Sequence, residues 1–213
     1  MVQVKICGNT NLEDAQLARQ YGADFLGFIF AKSKRLITAD TAKQMMEHMK
    51  DFKAFVGVFA NQPKEEVEKI VELLGLQWLQ FHGEETSRYC DYFSQKGYKI
   101  IKTFHIKDAM SLKRIDEYNV DAFLFDTYSS KEKGGTGQIF DWSLIDEKPY
   151  VRERLFLAGG LSVDNVKHAV QTVKPYAIDV ASGVEKAPGQ KDPDLLREFI
   201  RLAKGDEIKT LKS

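Results

Sequence analysis

Val2-Gln3-Val4-Lys5-Ile6-Cys7-Gly8-Asn9-Thr10 opens the chain as a short apolar run that ends in a tight turn. The turn decides between two architectures. An open doubly wound sheet carries a GxGxxG fingerprint after its first strand, and Cys7-Gly8-Asn9-Thr10 has none. Working outward, seven further apolar runs follow: Phe25–Phe30, Ala54–Phe59, Trp78–Phe81, Lys99–Phe104, Ala122–Phe125, Leu155–Ala158 and Ala177–Val180. Most are continuous rather than alternating, as expected of parallel strands covered on both faces. Eight strand–helix pairs in 213 residues leave about 27 residues per pair, a compact single-domain (β/α)8 (TIM) barrel of the α/β class. The predicted domain spans residues 1–205, with a charged tail over 206–213 that frays.

Helical patterns fill the intervals. Thr10-Asn11-Leu12-Glu13 has the form of a capping box. Asn61 and Pro63 precede a stripe of Val67, Ile70, Val71 and Leu74, and Ser162 is placed to cap a helix with Val166, Ala169, Val170 and Val173 inside. Leu195, Leu196, Phe199, Ile200 and Ala203 form the last stripe, and Gly22, Gly75 and Gly97 stand where helices should stop.

Composition narrows the partners. With 31 basic and 31 acidic residues and no basic stripe, nucleic acid is not expected. No apolar run is long enough to span a bilayer, and charges at Lys5, Glu13, Asp14 and Arg19 interrupt any signal-peptide core. Two cysteines, Cys7 and Cys90, are too few for a disulfide framework, so a cytoplasmic location is expected, with Cys90 as a small buried apolar residue. His48, His105 and His168 show no ligand spacing, and the His and Asp ligands that a metal-dependent epimerase would need on several strand ends are not evident. Neither metal nor cofactor is expected.

In a barrel, chemistry collects where strands end and helices begin. Cys7 ends the first strand, Gln80 and His82 flank the end of the fourth, and Asp126 ends the sixth. Gly159 and Gly160 follow the seventh, and Asp179, Ser182 and Gly183 lie at or beyond the eighth. Strand alternation puts Lys5 on the face of Cys7 and Gln80 on that of His82. Strand eight closes beside strand one, so Lys5 either pairs with Asp179 or snorkels out of the barrel bottom. Gly134-Gly135-Thr136-Gly137, Gly159-Gly160 and Ser182-Gly183 each let backbone N–H groups approach an anion, and the last two loops of this fold commonly hold phosphate. On the residues alone, Cys7 also reads as a buried structural thiol and Asp126 as a helix cap.

Taken in order, the motifs resemble those of the phosphoribosylanthranilate isomerases. They are Lys5-Ile6-Cys7-Gly8, Gly22-Ala23-Asp24-Phe25-Leu26-Gly27-Phe28-Ile29-Phe30, Ser33-Lys34-Arg35, Gln80-Phe81-His82-Gly83, Phe125-Asp126-Thr127 and Gly134-Gly135-Thr136-Gly137. Leu157-Ala158-Gly159-Gly160-Leu161, Asp179-Val180-Ala181-Ser182-Gly183-Val184-Glu185 and Lys191-Asp192 complete the match over nearly the whole chain. The chain departs from the family's usual Ser-Pro-Arg at Lys34, and from its usual Leu and Ser at Phe81 and Ala181.

The resemblance implies an Amadori rearrangement in tryptophan biosynthesis on a small phosphorylated substrate, by a monomer or homodimer. It implies Asp126 as general acid and Cys7 as general base. Arg35 would grip the anthranilate carboxylate, with Gln80, His82 and Asp179 on the substrate and the three glycine loops on its phosphate. The polar stretch Tyr128–Lys133 would act as a cover. Two rivals are weighed against it. A related ribotide isomerase would need an Asp at position 7 and a second phosphate loop, which Phe55–Asn61 lacks. A non-catalytic phosphate-binding barrel would not need both Cys7 and Asp126.

Overall fold

A computed structural model describes residues 1–127 and 140–205. The glycine cluster Gly134, Gly135, Thr136 and Gly137, the expected cover and the tail lie outside the described residues. Eight parallel strands close into a barrel in chain order: β1 (Gln3–Ile6), β2 (Phe25–Ile29), β3 (Phe55–Phe59), β4 (Trp78–Phe81), β5 (Lys99–Ile106), β6 (Ala122–Thr127), β7 (Leu155–Leu157) and β8 (Ala177–Val180). The seam pairs β1 with β8, Lys5 lying opposite Asp179.

Residues of one parity point into the lumen. Phe25, Val56, Ile101, Ala122, Leu124, Phe156, Ala158 and Ala177 form a buried inner cluster. Phe25 meets Trp78 and Phe156 edge-on there, at centroid distances of 5.5 and 5.3 Å. The opposite parity packs outward against α1 (Leu12–Gln20), α2 (Ala39–Glu47), α3 (Lys64–Leu74), α4 (Ser87–Gln95), α5 (Val166–Val173) and α6 (Pro193–Lys204). Burial on both faces explains why the strands read as continuous apolar runs.

Three local expectations are corrected. Asn11, not Thr10, caps α1: its side chain accepts from the Asp14 N–H, while the Thr10 hydroxyl donates to the Gly189 carbonyl. Ser162 caps the turn before α5 by accepting from the Asp164 N–H, and the helix itself begins at Val166. After β5 and β6 the described residues hold 3-10 segments in place of α-helices: Ala109–Leu112, Ile115–Glu117, Trp142–Glu147 and Pro149–Arg154. A 3-10 turn rises about 2.0 Å per residue against 1.5 Å for an α-helix, so a short connection still covers its strand. Pro149, without an N–H, begins a new segment instead of extending the preceding one.

Candidate active site

The β1/β8 side of the mouth is built on a buried ion pair. Lys5 has no solvent exposure, and its Nζ donates to Asp179 Oδ1 at 2.8 Å, so the snorkelling alternative is excluded. Burial works against the ammonium, but Asp179 and the Cys7 sulfur outweigh it and hold Lys5 above its ordinary pKa. One layer higher, the Cys7 N–H donates to the Val180 carbonyl at 2.8 Å. Burial pushes the Cys7 thiol up, while Lys5 and, less strongly, Lys191 pull it back. The thiol has space because position 27 is glycine: a Cβ there would lie 2.8 Å from Cys7 Sγ and 3.2 Å from Lys5 Nζ.

Across the mouth, β4, β5 and β6 present a looser group. Gln80 is buried, and its Nε2 donates to His82 Nδ1 at 2.9 Å; Thr103 Oγ1 lies 3.2 Å from the same nitrogen. His82 Nε2 stands 3.6 Å from Asp126 Oδ2, and His105 sits opposite Asp126 in the β5–β6 register. Burial first, and the charge of Asp179 second, push the Asp126 carboxyl up to about 7, against the Thr127 N–H and Lys5. This carboxyl therefore holds a proton near neutral pH. Glycine is required beside it as well: Gly159 has φ +85°, and a Cβ there would lie 2.7 Å from Asp126 Oδ1 and 2.3 Å from the Thr127 nitrogen.

Arg35 reaches the mouth from the loop after β2. Ser33 Oγ accepts from the Arg35 N–H at 3.1 Å, a brace in a loop that lacks proline at 34. The guanidinium donates from Nε and Nη2 to Glu185, at 2.8 and 2.7 Å to its two oxygens. Glu185 opens a small hairpin of β9 (Glu185–Ala187) and β10 (Gln190–Lys191). Lys191, whose side chain has no solvent exposure, donates to Glu185 at 3.0 Å and to the Cys7 carbonyl at 2.6 Å. Burial alone would raise Glu185; Arg35 and Lys191 reverse that and hold it below the usual carboxylate range. The loops after β7 and β8 touch, since a Cβ at Gly183 would lie 1.9 Å from the Leu161 carbonyl oxygen. Ser182 begins the 3-10 turn Ser182–Val184, and Gly160 adopts φ +68°.

Cys7, Arg35, Gln80, His82, Asp126, Gly159, Gly160, Asp179, Ser182 and Gly183 thus all lie at or just below one rim. Sequence reading missed Glu185 and Lys191 as working parts, although both fall in the quoted motifs. It also missed the buried pair of Lys102 and Glu85. Lys102 Nζ donates to the carbonyls of Phe81 and Gly83, and Glu85 accepts from the Gly83 N–H, which brackets the turn carrying His82. His105 needs a correction: by sequence it shows no ligand spacing, yet the fold brings it within 4.8 Å of ligand atoms of His82 and Asp126. The spacing lies across strands, where chain separation carries no signal.

A closed barrel with a buried thiol on one side of its mouth and a proton-holding carboxyl on the other defines the chain as a (β/α)8-barrel isomerase. The comparisons narrow this class. The family model for N-(5'-phosphoribosyl)anthranilate (PRA) isomerase matches residues 4–202, and the chain belongs to that family. It is 45% identical over 206 residues to the N-(5'-phosphoribosyl)anthranilate isomerase of Caldanaerobacter subterraneus, covering 96% of this chain and 99% of the relative. Identity is 46% to the enzyme of Geobacter sulfurreducens, covering 96% and 100%. The crystal structure of phosphoribosyl anthranilate isomerase from Thermotoga maritima superposes with a TM-score of 0.87 at 40% identity, over 96% of this chain and 100% of that one. A structure of the isomerase in complex with reduced 1-(o-carboxyphenylamino)-1-deoxyribulose 5-phosphate gives 0.83 at 39% identity, with the same coverage.

Proposed function

We propose that this chain catalyses the Amadori rearrangement of N-(5'-phosphoribosyl)anthranilate to 1-(2-carboxyphenylamino)-1-deoxyribulose 5-phosphate in tryptophan biosynthesis, with Asp126 as general acid and Cys7 as general base. Asp126 delivers its proton to the furanose ring oxygen as the C1–O bond breaks and the nitrogen lone pair forms the C1=N bond. Cys7, as thiolate, then takes the proton from C2, and the electron pair left behind neutralises the iminium nitrogen as an enolamine. Tautomerisation to the ketone completes the shift, with no net oxidation of the substrate. The observation that carries this reading is the placement of both groups around one charge pair: Asp179 and Lys5 act electrostatically on Cys7 and on Asp126 alike.

The remaining residues divide the substrate between them. Arg35 takes the anthranilate carboxylate through the guanidinium edge turned away from Glu185, a planar match of donors to acceptors. Gln80 and His82 face the ribose. Asp179 acts from below, through Lys5 and the two reacting groups. Gly159, Gly160, Ser182 and Gly183 form the phosphate cradle, supported by the contact between their two loops.

Anthranilate fluorescence of the substrate tests the reading. Wild type should consume the signal, whereas Cys7→Ser and Asp126→Asn should consume it about 10²–10⁴ times more slowly. A flat trace with wild type would remove the proposal.

A further inference from the structure

His82, His105 and Asp126 stand at the C-terminal ends of three neighbouring strands, β4, β5 and β6. Register puts them on one face: Phe81 pairs with Lys102, which sets His82 level with Thr103, and His105 lies two residues further on, directly opposite Asp126. One ligand atom from each lies within 4.8 Å of the other two. The His82 Nε2 to Asp126 Oδ2 separation is 3.6 Å. A tetrahedral ion with bonds of about 2.0–2.2 Å has ligand-to-ligand edges of about 3.4 Å, so this pair is already spaced for it. His105 is exposed at the rim, and its ring lies 5.2 Å from that of His82, centroid to centroid.

Gln80 supplies an independent sign. It is 1% exposed, and its Oε1 has no hydrogen-bond partner among the described residues. With Nε2 donating to His82 Nδ1, the neutral ring keeps its proton on Nε2, the atom that faces Asp126. Turning the Gln80 amide over reverses this. Oε1 then accepts from Nδ1–H, the buried oxygen gains its missing bond, and the Nε2 lone pair points at Asp126. A metal-bound imidazole has this kind of acceptor behind it. Two imidazoles and a carboxylate suit an ion of the zinc class, which commonly takes three protein ligands.

We propose that the mouth binds one divalent transition-metal ion of the Zn2+ class through His82 Nε2, His105 and Asp126, and that the bound ion switches the isomerase off. Coordination displaces the proton of Asp126 to solvent, so the donor of the first step is lost. The switching rests on the role of Asp126 given under the proposed function; the binding does not.

The test strips the full chain with chelator, then titrates Zn2+ against a chromophoric chelator while turnover is followed in the same solutions. One ion per chain should bind, and turnover should fall with the same midpoint. His105→Gln should weaken binding at least about tenfold, since losing a ligand costs no less than losing the partner behind one. The same variant should keep the metal-free turnover of wild type and resist Zn2+. Absence of one-to-one binding, or unchanged affinity in His105→Gln, overturns the site. Binding with undiminished turnover overturns the switch. A metal-free chain without turnover overturns the isomerase reading instead, and the chelator competition still reads the site.

Discussion

Lys5 with Asp179 on one side of the mouth, and His82 with Asp126 on the other, are both pairs of a nitrogen base and a carboxylate, and they are built in opposite ways. The first is 2.8 Å long, with side-chain exposures of 0% and 10%; the second is 3.6 Å long, with 33% and 27%. Burying Lys5 is tolerable because Asp179 compensates its charge. At Asp126, burial and the charge of Asp179 outweigh the Thr127 N–H and Lys5, and push its carboxyl up to about 7. A saturated ion pair gives rigidity and a steady field. An unsaturated carboxyl gives a proton that can leave. One barrel rim supports both because each occupies a different arc of strands.

Removing the group proposed to react from either arc should have the largest effect. Asp126→Asn and Cys7→Ala are each expected to lower turnover by about 10²–10⁴, the usual worth of a positioned proton donor or acceptor. Steady-state fluorescence measures it, and a loss of only a few-fold in either variant would break the division of labour.

Stability should separate the arcs next. Lys5→Met leaves Asp179 buried without its cation and should cost about 3–5 kcal/mol in urea unfolding. His82→Asn, at a half-exposed pair, should cost less than about 1 kcal/mol. Equal costs would show that the two pairs are not different in kind.

A smaller effect concerns pH. The folded-state pKa of Asp126 is raised above its unfolded value, so its contribution to stability is present below about pH 4 and lost as pH rises through about 7. In chelator-containing buffer, Asp126→Asn should therefore be more stable than wild type at pH 8, by about 1–3 kcal/mol once solvent contact is allowed for. The two should converge near pH 4. A variant less stable than wild type at pH 8 would reverse the sign assigned to the open arc.

The smallest expected change is at the thiol. Cys7 lies above the ordinary thiol value, so its alkylation by iodoacetamide should keep accelerating with pH beyond pH 9. Lys191→Met removes a cation bonded to the Cys7 carbonyl, which should slow alkylation a few-fold at pH 8.5, about the loss expected for one nearby charge. An unchanged rate would remove Lys191 from the field at the sulfur.

Legibility in the sequence followed the range of the interaction. The eight strands were readable because each is a short apolar run whose character is set by its own residues. Helix starts were readable less well, because Thr10 is as good a cap as Asn11 in isolation and only the hairpin carbonyl at Gly189 claims its hydroxyl. At the site, Cys7, His82, Asp126 and the glycine loops after β7 and β8 could be placed at one rim from strand ends alone. Glu185 and Lys191 could not be given work, because their partners Arg35 and Cys7 lie 150 and 184 positions away. His105 carried no signal at all, since its neighbours come from other strands.

The amino-acid sequence by itself determined the barrel, its single rim and the place there of Cys7, His82, Asp126 and the last two glycine loops, because hydrophobic period and strand parity are local properties of the chain. Only the tertiary structure decided their electrical state: Lys5 charged beside Asp179, the Asp126 carboxyl pushed up by burial and Asp179, Arg35 held by Glu185. Burial and charge proximity set those states, and both are properties of the closed barrel rather than of any one strand.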